Sequence, residues 1–305
     1  MQKNLVATAI DDAYVYPLLV MAFSLDKNLT CDYKLLIGYD SKLLSPVNLE
    51  VIRKFMKHFG INFDFYELEI PSEWPASHHI SAMTFSKLIF ATKLSQKFIW
   101  IDVDVLVRGS VNKIIENFDD FIGAENICAR EANNTPRSVK EASDGSSVER
   151  YFNAGILLID AKKWAESHDT QEVLKFILEG LDWLDQGVFN KLAAGSFSDL
   201  PIDYNYFVGQ DEFFEEIKIA HFLGDLKPWK IPRGKVGKSI VLNKKRIPAL
   251  YIEYDSTERE IERMLKGNRE IGLVFKNLRK KHSIPLGKIL KRIVRIAIIF
   301  VETRK

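Results

Sequence analysis

Phe98-Ile99-Trp100-Ile101-Asp102-Val103-Asp104-Val105-Leu106-Val107 is an apolar run rich in β-branched residues, the pattern of a strand buried on both faces. It carries carboxylates at i and i+2, which an extended chain turns to one face. Two like charges so close are costly to bury without a cation or an exit to solvent, so the pair belongs at a strand end where a divalent metal can meet it. An isolated Asp-x-Asp also fits an ordinary solvated strand terminus, and its surroundings decide between the two.

Those surroundings alternate strands with helices. Leu5 to Ile10 has strand length, Asp11-Asp12 follows it, and the apolar spacing from Tyr14 to Leu25 is helical. Tyr33 to Tyr39 predicts a second strand and Phe63 to Leu68 a third, while Ser45-Pro46 supplies an N-cap and first-turn proline for a helix between them. Such alternation implies a mostly parallel sheet with crossover helices, whose ligands sit beyond the carboxyl ends of the strands. Asp11, Asp12, Asp102 and Asp104 all fall at that edge. Pro71 to Ile80 reads as a surface loop, followed by a helix from about Ser81 to Leu94 that carries Lys87. Val111 to Phe118 is expected to be helical, Phe121 to Ala124 extended, and residues 130–149 a long polar loop.

Tyr151 to Asp160 reads as a further buried strand, with Gly155 in a small-residue corner that permits close approach of backbone or ligand. Asn153 stands there to orient a hydroxyl. Helices are expected over Lys162 to Trp164, over Gln171 to Leu181, and from Asp185-Gln186 onward, where an Asp at a helix start also serves as a cap. Ile217 to Phe222 is strand-like and contains His221; Gly224, Lys227, Pro228 and Trp229 follow in a turn suited to a phosphate and a stacked ring.

Composition bounds the rest. With 305 residues, 47% hydrophobic and 28% charged, the chain is globular and large enough for a main domain with an appendage. A net charge of +2 gives no case for nucleic acid. Cys31 and Cys128 have no metal-type spacing and form no disulfide framework, which fits a reducing compartment. The first residues lack the features of a signal peptide, and no run is long and apolar enough for a transmembrane helix, so a cytoplasmic place is expected. Residues 276–305 hold ten Lys or Arg against the single acid Glu302, on a helically spaced apolar pattern. A basic amphipathic helix of this kind suits an anionic membrane surface, here the inner face of the membrane, or packs on its own domain with a basic outer face.

Seven motifs run in order through the chain: Ala9-Ile10-Asp11-Asp12-Ala13-Tyr14, His79 to Leu88, Asp102 to Arg108, Tyr151-Phe152-Asn153-Ala154-Gly155, Lys162-Lys163-Trp164, Asp185-Gln186, and His221 to Trp229. Each alone is weak; the series is specific. From about Leu5 to Trp229 the chain resembles glycosyltransferase family 8, the family of glycogenin and of bacterial lipopolysaccharide galactosyl- and glucosyltransferases. The resemblance implies an α/β fold of GT-A type, a Rossmann-like mixed sheet flanked by helices with a small C-terminal helical region. The change to charged, helical sequence from Ser256 onward divides the chain into a nucleotide-sugar-binding catalytic domain, residues 1–254, and a basic helical region, residues 255–305, suited to membrane attachment.

The resemblance further implies a UDP-sugar donor, a glycan or glycolipid acceptor, transfer of galactose or glucose with retention, and Mn²⁺, or Mg²⁺, on Asp102, Asp104 and His221. Two carboxylates with one imidazole suit those ions on chemical grounds also. Donor contacts map to Ala9, Asp11, Asp12, Tyr14, Lys87, Asp102, Val103, Asp104, Asn153, Ala154, His221, Gly224 and Lys227, and the catalytic candidates are Asp185 and Gln186. Ala13, Lys87 and Gly187 depart from the family's Asn, Arg and second Asp, and Ala124-Glu125-Asn126 has no match to its usual Asp. These departures motivate an alternative, a non-catalytic relative that binds a nucleotide sugar. A sugar nucleotidyltransferase would need a glycine- and base-rich loop after the first strand, where Ala7 to Tyr14 is acidic.

Overall fold

Val6 of the first strand pairs with Ile99, which sets the Phe98–Ile101 run in the middle of a sheet rather than at its edge. The computed structural model describes residues 4–76, 81–132, 139, 148–231 and 247–282. In chain order the first half holds β1 (Asn4–Ile10), α1 (Val15–Lys27), β2 (Tyr33–Tyr39), α2 (Pro46–Phe59), β3 (Phe63–Glu67), α3 (Ser86–Lys93), β4 (Lys97–Ile101), β5 (Val105–Val107), α4 (Asn112–Glu116), α5 (Phe118–Ile122) and β6 (Ile127–Glu131). The second holds β7 (Phe152–Asp160), α6 (Ala161–Ser167), α7 (Thr170–Glu179), α8 (Asp185–Ala193), β8 (Ser198–Asp199), β9 (Tyr206–Phe207), β10 (Ile219–His221), α9 (Ile247–Met264) and α10 (Arg269–His282).

Among the described residues the main sheet has seven strands in the order β3-β2-β1-β4-β7-β6-β8. β3, β2, β1 and β4 are parallel, as crossovers through helices require. β7 runs antiparallel to both β4 and β6, which makes the sheet mixed. The architecture is that of the GT-A type. Phe90 on α3 meets Tyr66, Phe98 and Trp100 at ring-centroid distances of 5.2, 6.4 and 5.8 Å, closing the core over one face of the sheet.

Two sequence expectations need correction. The Phe98–Val107 run is not one strand: β4 ends at Ile101 and β5 begins at Val105, in a different sheet. The Asp102 N–H still donates to the Gly155 carbonyl of β7 at 2.8 Å, and β5 then pairs antiparallel with β10, Val105 opposite His221. Asp102-Val103-Asp104 is therefore the crossing between two sheets. Phe121 to Ala124 is not extended either. Ile122 is buried on α5, whose last turn closes with Gly123 N–H to Asp119 O at 3.0 Å, and Gly123 leaves the helix at φ +58°. The loop at 130–149 lies mostly outside the described residues, as do residues 77–80 of the loop before α3.

The chain falls into two compact units, Met1–Tyr206 with Glu216–His221, and Phe207–Glu215 with Phe222–Lys305. In the second, α9 and α10 pack around the turn that follows Phe222, whose ring meets Tyr251 and Tyr254. Arg279, one of the ten basic residues counted in 276–305, points inward. Its guanidinium pairs with Glu258 at 2.8 Å and donates to the carbonyls of Pro228, Trp229 and Ile231. Glu258 is fully buried, and Arg279 supplies a positive charge that offsets its burial and belongs to the core of this unit. Residues 283–305, which carry most of the membrane expectation, lie outside the described residues. No described helix is long and apolar enough to cross a membrane.

Candidate active site

The pairing of Val105 with His221 brings an imidazole from β10 to the bend that carries Asp102 and Asp104. One oxygen of each carboxylate and one ring nitrogen all lie within 4.8 Å of one another. His221 is buried; its Nε2 lies 3.2 Å from Asp104 Oδ1 and its Nδ1 lies 3.0 Å from Asn205 Oδ1. Gly155 is what makes room: a Cβ there would stand 2.1 Å from His221 Cε1. Two oxygens and a nitrogen on rigid backbone, with the imidazole anchored through its second nitrogen, fit a hard divalent cation.

A second group of charges sits directly against the first. Lys87, on α3, is 2% exposed. Its ammonium lies 2.8 Å from Asp185 Oδ2, 3.1 Å from Asp102 Oδ1 and 2.9 Å from the Ala154 carbonyl. Burial works against its charge, but the carboxylates of Asp102 and Asp185 outweigh it and raise the Lys87 pKa above the usual lysine value. Lys87 therefore stays a cation and is not an acid or base in the working range. Burial, with the Asp104 charge added, pushes the Asp102 carboxyl up against the opposing pull of Lys87. Trp100 Nε1–H donates to the same Asp102 oxygen at 2.6 Å, and Thr84 donates to Asp185. Asp185 is buried and its two oxygens are spoken for, one by Lys87 and one by Thr84.

Gln186 opens α8 beside them. Its Oε1 accepts from Ala154 N–H and Asn153 Nδ2, both at 3.0 Å, and its Nε2 donates to Tyr151 OH at 3.0 Å. The chain enters this helix through Trp183 at φ +63° and Leu184 at φ +49°, left-handed conformations that cost a non-glycine residue energy. Gly187 is the residue that lets the turn close there, since a Cβ would stand 2.4 Å from the Asp182 carbonyl and 3.0 Å from Leu181 Cβ. The departure at this position is thus steric. Gly187→Asp is expected to destabilise the chain by about 1–3 kcal/mol, as overpacking against backbone does. Urea unfolding measures it; an unchanged midpoint would mean that the 181–184 turn yields freely.

The other expected donor residues divide between the two units. Asp11 Oδ1 accepts the Ala13 N–H at 2.9 Å and shapes the turn after β1 beside Ala9 and Tyr14. Asp12 Oδ1 takes three donors, Ser45 N–H and Oγ–H and Asn48 Nδ2, and so ties that turn to the start of α2. Val103 is buried between the two aspartates. In the second unit Gly224 has φ +69° with open space where a side chain would be, and Lys227, nearly buried, turns its ammonium onto the Phe222 carbonyl. Asn205 carries no signal in the sequence: a lone Asn after a short turn is silent until its partners are known.

A family model described as Glycosyl transferase family 8 matches residues 5–231. The chain belongs to glycosyltransferase family 8. Among curated family relatives, it is 24% identical to General stress protein A of Bacillus subtilis over 251 residues, 73% of this chain and 86% of that protein. It is 25% identical to the lipopolysaccharide 1,2-glucosyltransferase of Escherichia coli over 153 residues, 44% of each chain. The match to the glycosyltransferase GlyD of Streptococcus pneumoniae spans only 23% of that protein. In three dimensions the chain resembles the galactosyltransferase LgtC, crystallised with donor and acceptor sugar analogs, with a TM-score of 0.63, 21% identity, and coverage of 83% of this chain and 95% of that one. That likeness establishes the family fold.

Proposed function

We propose that this family 8 member is a metal-dependent, retaining hexosyltransferase that moves galactose or glucose from a UDP-sugar to a glycan or glycolipid acceptor. The observation that carries the reading is the convergence of Asp102, Asp104 and His221 directly against the buried Lys87–Asp185 pair. Asp102, Asp104 and His221 would hold Mn²⁺ or Mg²⁺, which supplies neutralisation of the charge gathering on the departing diphosphate. Ala9, Asp11, Asp12, Tyr14 and Val103 would serve the nucleotide, and Asn153, Ala154, Asp185 and Gln186 the sugar.

The committed hydrogen bonds constrain the chemistry. Gln186 Oε1 is held by two N–H donors, and a neutral amide so engaged is a poor nucleophile compared with the carboxylate of a retaining glycosidase. Asp185 is neutralised by Lys87. Front-face substitution fits this set: the bond from the anomeric carbon to the β-phosphate oxygen breaks, the acceptor oxygen bonds to the same face, and the acceptor's proton passes to the departing phosphate oxygen, giving glycoside and UDP. The rigid Asn153–Gln186 pair then fixes which hydroxyls of the hexose are accepted. In this reading residues 1–254 form the catalytic domain. Residues 255–305 form the basic helical region, which attaches through 276–305 to the inner face of a membrane.

UDP release from a panel of UDP-sugars, with Mn²⁺ or with chelator, tests the proposal. The expected result is release from one donor, lost with chelator and reduced at least about 100-fold in Asp104→Asn, as removal of an electrostatic catalytic partner does. Tight UDP binding without release, acceptor mixtures included, would instead establish the non-catalytic relative.

A further inference from the structure

We propose that Asn205 is a positioning residue of the metal centre: its carboxamide oxygen holds His221 as the Nδ1–H tautomer and leaves Nε2 as the ligand atom beside Asp104. The inference rests on the reading of Asp102, Asp104 and His221 as metal ligands. It follows from which atoms can donate. The Gly155 backbone N–H, a donor only, lies 3.0 Å from Asn153 Oδ1, so that atom is the amide's oxygen. Asn205 Nδ2 lies 3.1 Å from the same oxygen, so Asn205 turns its NH2 toward Asn153 and its oxygen toward His221. His221 Nδ1, 3.0 Å from that oxygen, must then carry the hydrogen. A carboxamide oxygen cannot donate, and Asn205 is fully buried, so no solvent competes for the contact.

The backbone holds Asn205 in place independently of the site. Its N–H donates to the Ile202 carbonyl at 3.3 Å, closing the turn before β9, and its own carbonyl accepts Arg130 Nη1 at 2.6 Å. The same chain of bonds continues in the other direction. With Asn153 Oδ1 occupied by Gly155 and Asn205, Asn153 Nδ2 faces Gln186 Oε1 at 3.0 Å. One backbone N–H thus sets the orientation of two asparagines, the tautomer of His221 and the donor that meets Gln186. Orienting partners of this kind typically account for about 10–100-fold in metal affinity.

Mn²⁺ titration of the full chain without nucleotide, together with ¹⁵N NMR of the metal-free imidazoles, tests this. His221 resonances are assigned by difference from His221→Ala. In the wild type, His221 Nδ1 is expected to carry hydrogen, as it does in the Nδ1–H tautomer. Asn205→Leu, of similar volume and without an acceptor, is expected to lose that tautomer and to weaken Mn²⁺ binding about 10–100-fold. Asn205→Asp keeps an acceptor against Nδ1 while giving up the bond to Asn153, and is expected to hold the tautomer and to bind Mn²⁺ more tightly than Asn205→Leu. A purely structural role predicts no such separation between the two variants, whose thermal melts report folding. Wild-type Mn²⁺ binding with unchanged affinity in Asn205→Leu, or Asn205→Asp as weak as Asn205→Leu, overturns the proposal while leaving the metal reading intact. Should Asn205→Leu not fold, an Nε2–H tautomer in the wild type overturns it. A wild type that takes up no Mn²⁺, or a His221→Ala variant that binds as well as the wild type, overturns the metal reading and this proposal with it.

Discussion

Lys87→Met is expected to cost about 3–5 kcal/mol of folding stability, the range for removing one partner of a buried ion pair. The side chains of Lys87 and Asp185 are 3% and 7% exposed, so water cannot screen the carboxylate left behind. The Ala154 carbonyl and Asp102 would lose the same donor. Methionine nearly matches lysine in volume, which isolates the charge from a cavity effect. The loss has a pH signature. Asp102 is already raised by burial and by Asp104, with Lys87 the main opposing influence, so its removal raises the carboxyl further. A carboxyl whose folded pKa exceeds its unfolded value binds protons better in the folded chain, so its penalty is full above the folded pKa and disappears below the unfolded one. The difference between wild type and Lys87→Met should narrow as pH falls through that window. Urea unfolding across pH reads both effects; a loss below about 1 kcal/mol, or one independent of pH, would refute the assignment of Lys87 as the counter-ion of both carboxylates.

Gly155→Ala is the second large expectation, and it acts on geometry rather than charge. The added methyl would stand 2.1 Å from His221 Cε1 and 2.8 Å from Nδ1, closer than packing tolerates, and 3.0 Å from Asn153 Oδ1. The imidazole must leave, and the Asn205 contact goes with it. Mn²⁺ affinity is expected to fall by at least about 100-fold, the upper end for disturbing a metal ligand's support, and UDP release to fall with it. Overpacking should cost about 1–3 kcal/mol of stability. A double-mutant cycle gives the check: in a His221→Ala background the methyl has nothing to strike, so Gly155→Ala should then cost little. An equal cost in both backgrounds would place the clash elsewhere.

Much of this site was legible because its chemistry is local. The Asp102-Val103-Asp104 pair, the small-residue corner at Gly155 and the Asp185-Gln186 helix start each announce themselves within a few residues, and the alternation of strands and helices places them at one sheet edge. Lys87 shows the limit. On α3 it reads as a surface lysine or a phosphate contact, and nothing in Ser86 to Lys93 indicates that its partners are carboxylates 15 and 98 residues away.

The residue pattern by itself determined most of the order of strands and helices and the acidic pair at the strand end, because side-chain period and turn chemistry are properties of consecutive residues, whereas His221 entered as a metal ligand through the family resemblance. Tertiary structure alone decided that the Phe98–Val107 run is cut between two sheets, that Phe121 and Ile122 end a helix rather than extend, that Arg279 turns inward onto Glu258, and that Asn205 orients His221. In each case the deciding partner is a hydrogen bond, strand or charge supplied by a distant part of the chain, or a helical turn closed by backbone groups whose residue types do not specify it, and the free energy of a buried polar group depends on that partner rather than on its neighbours in sequence.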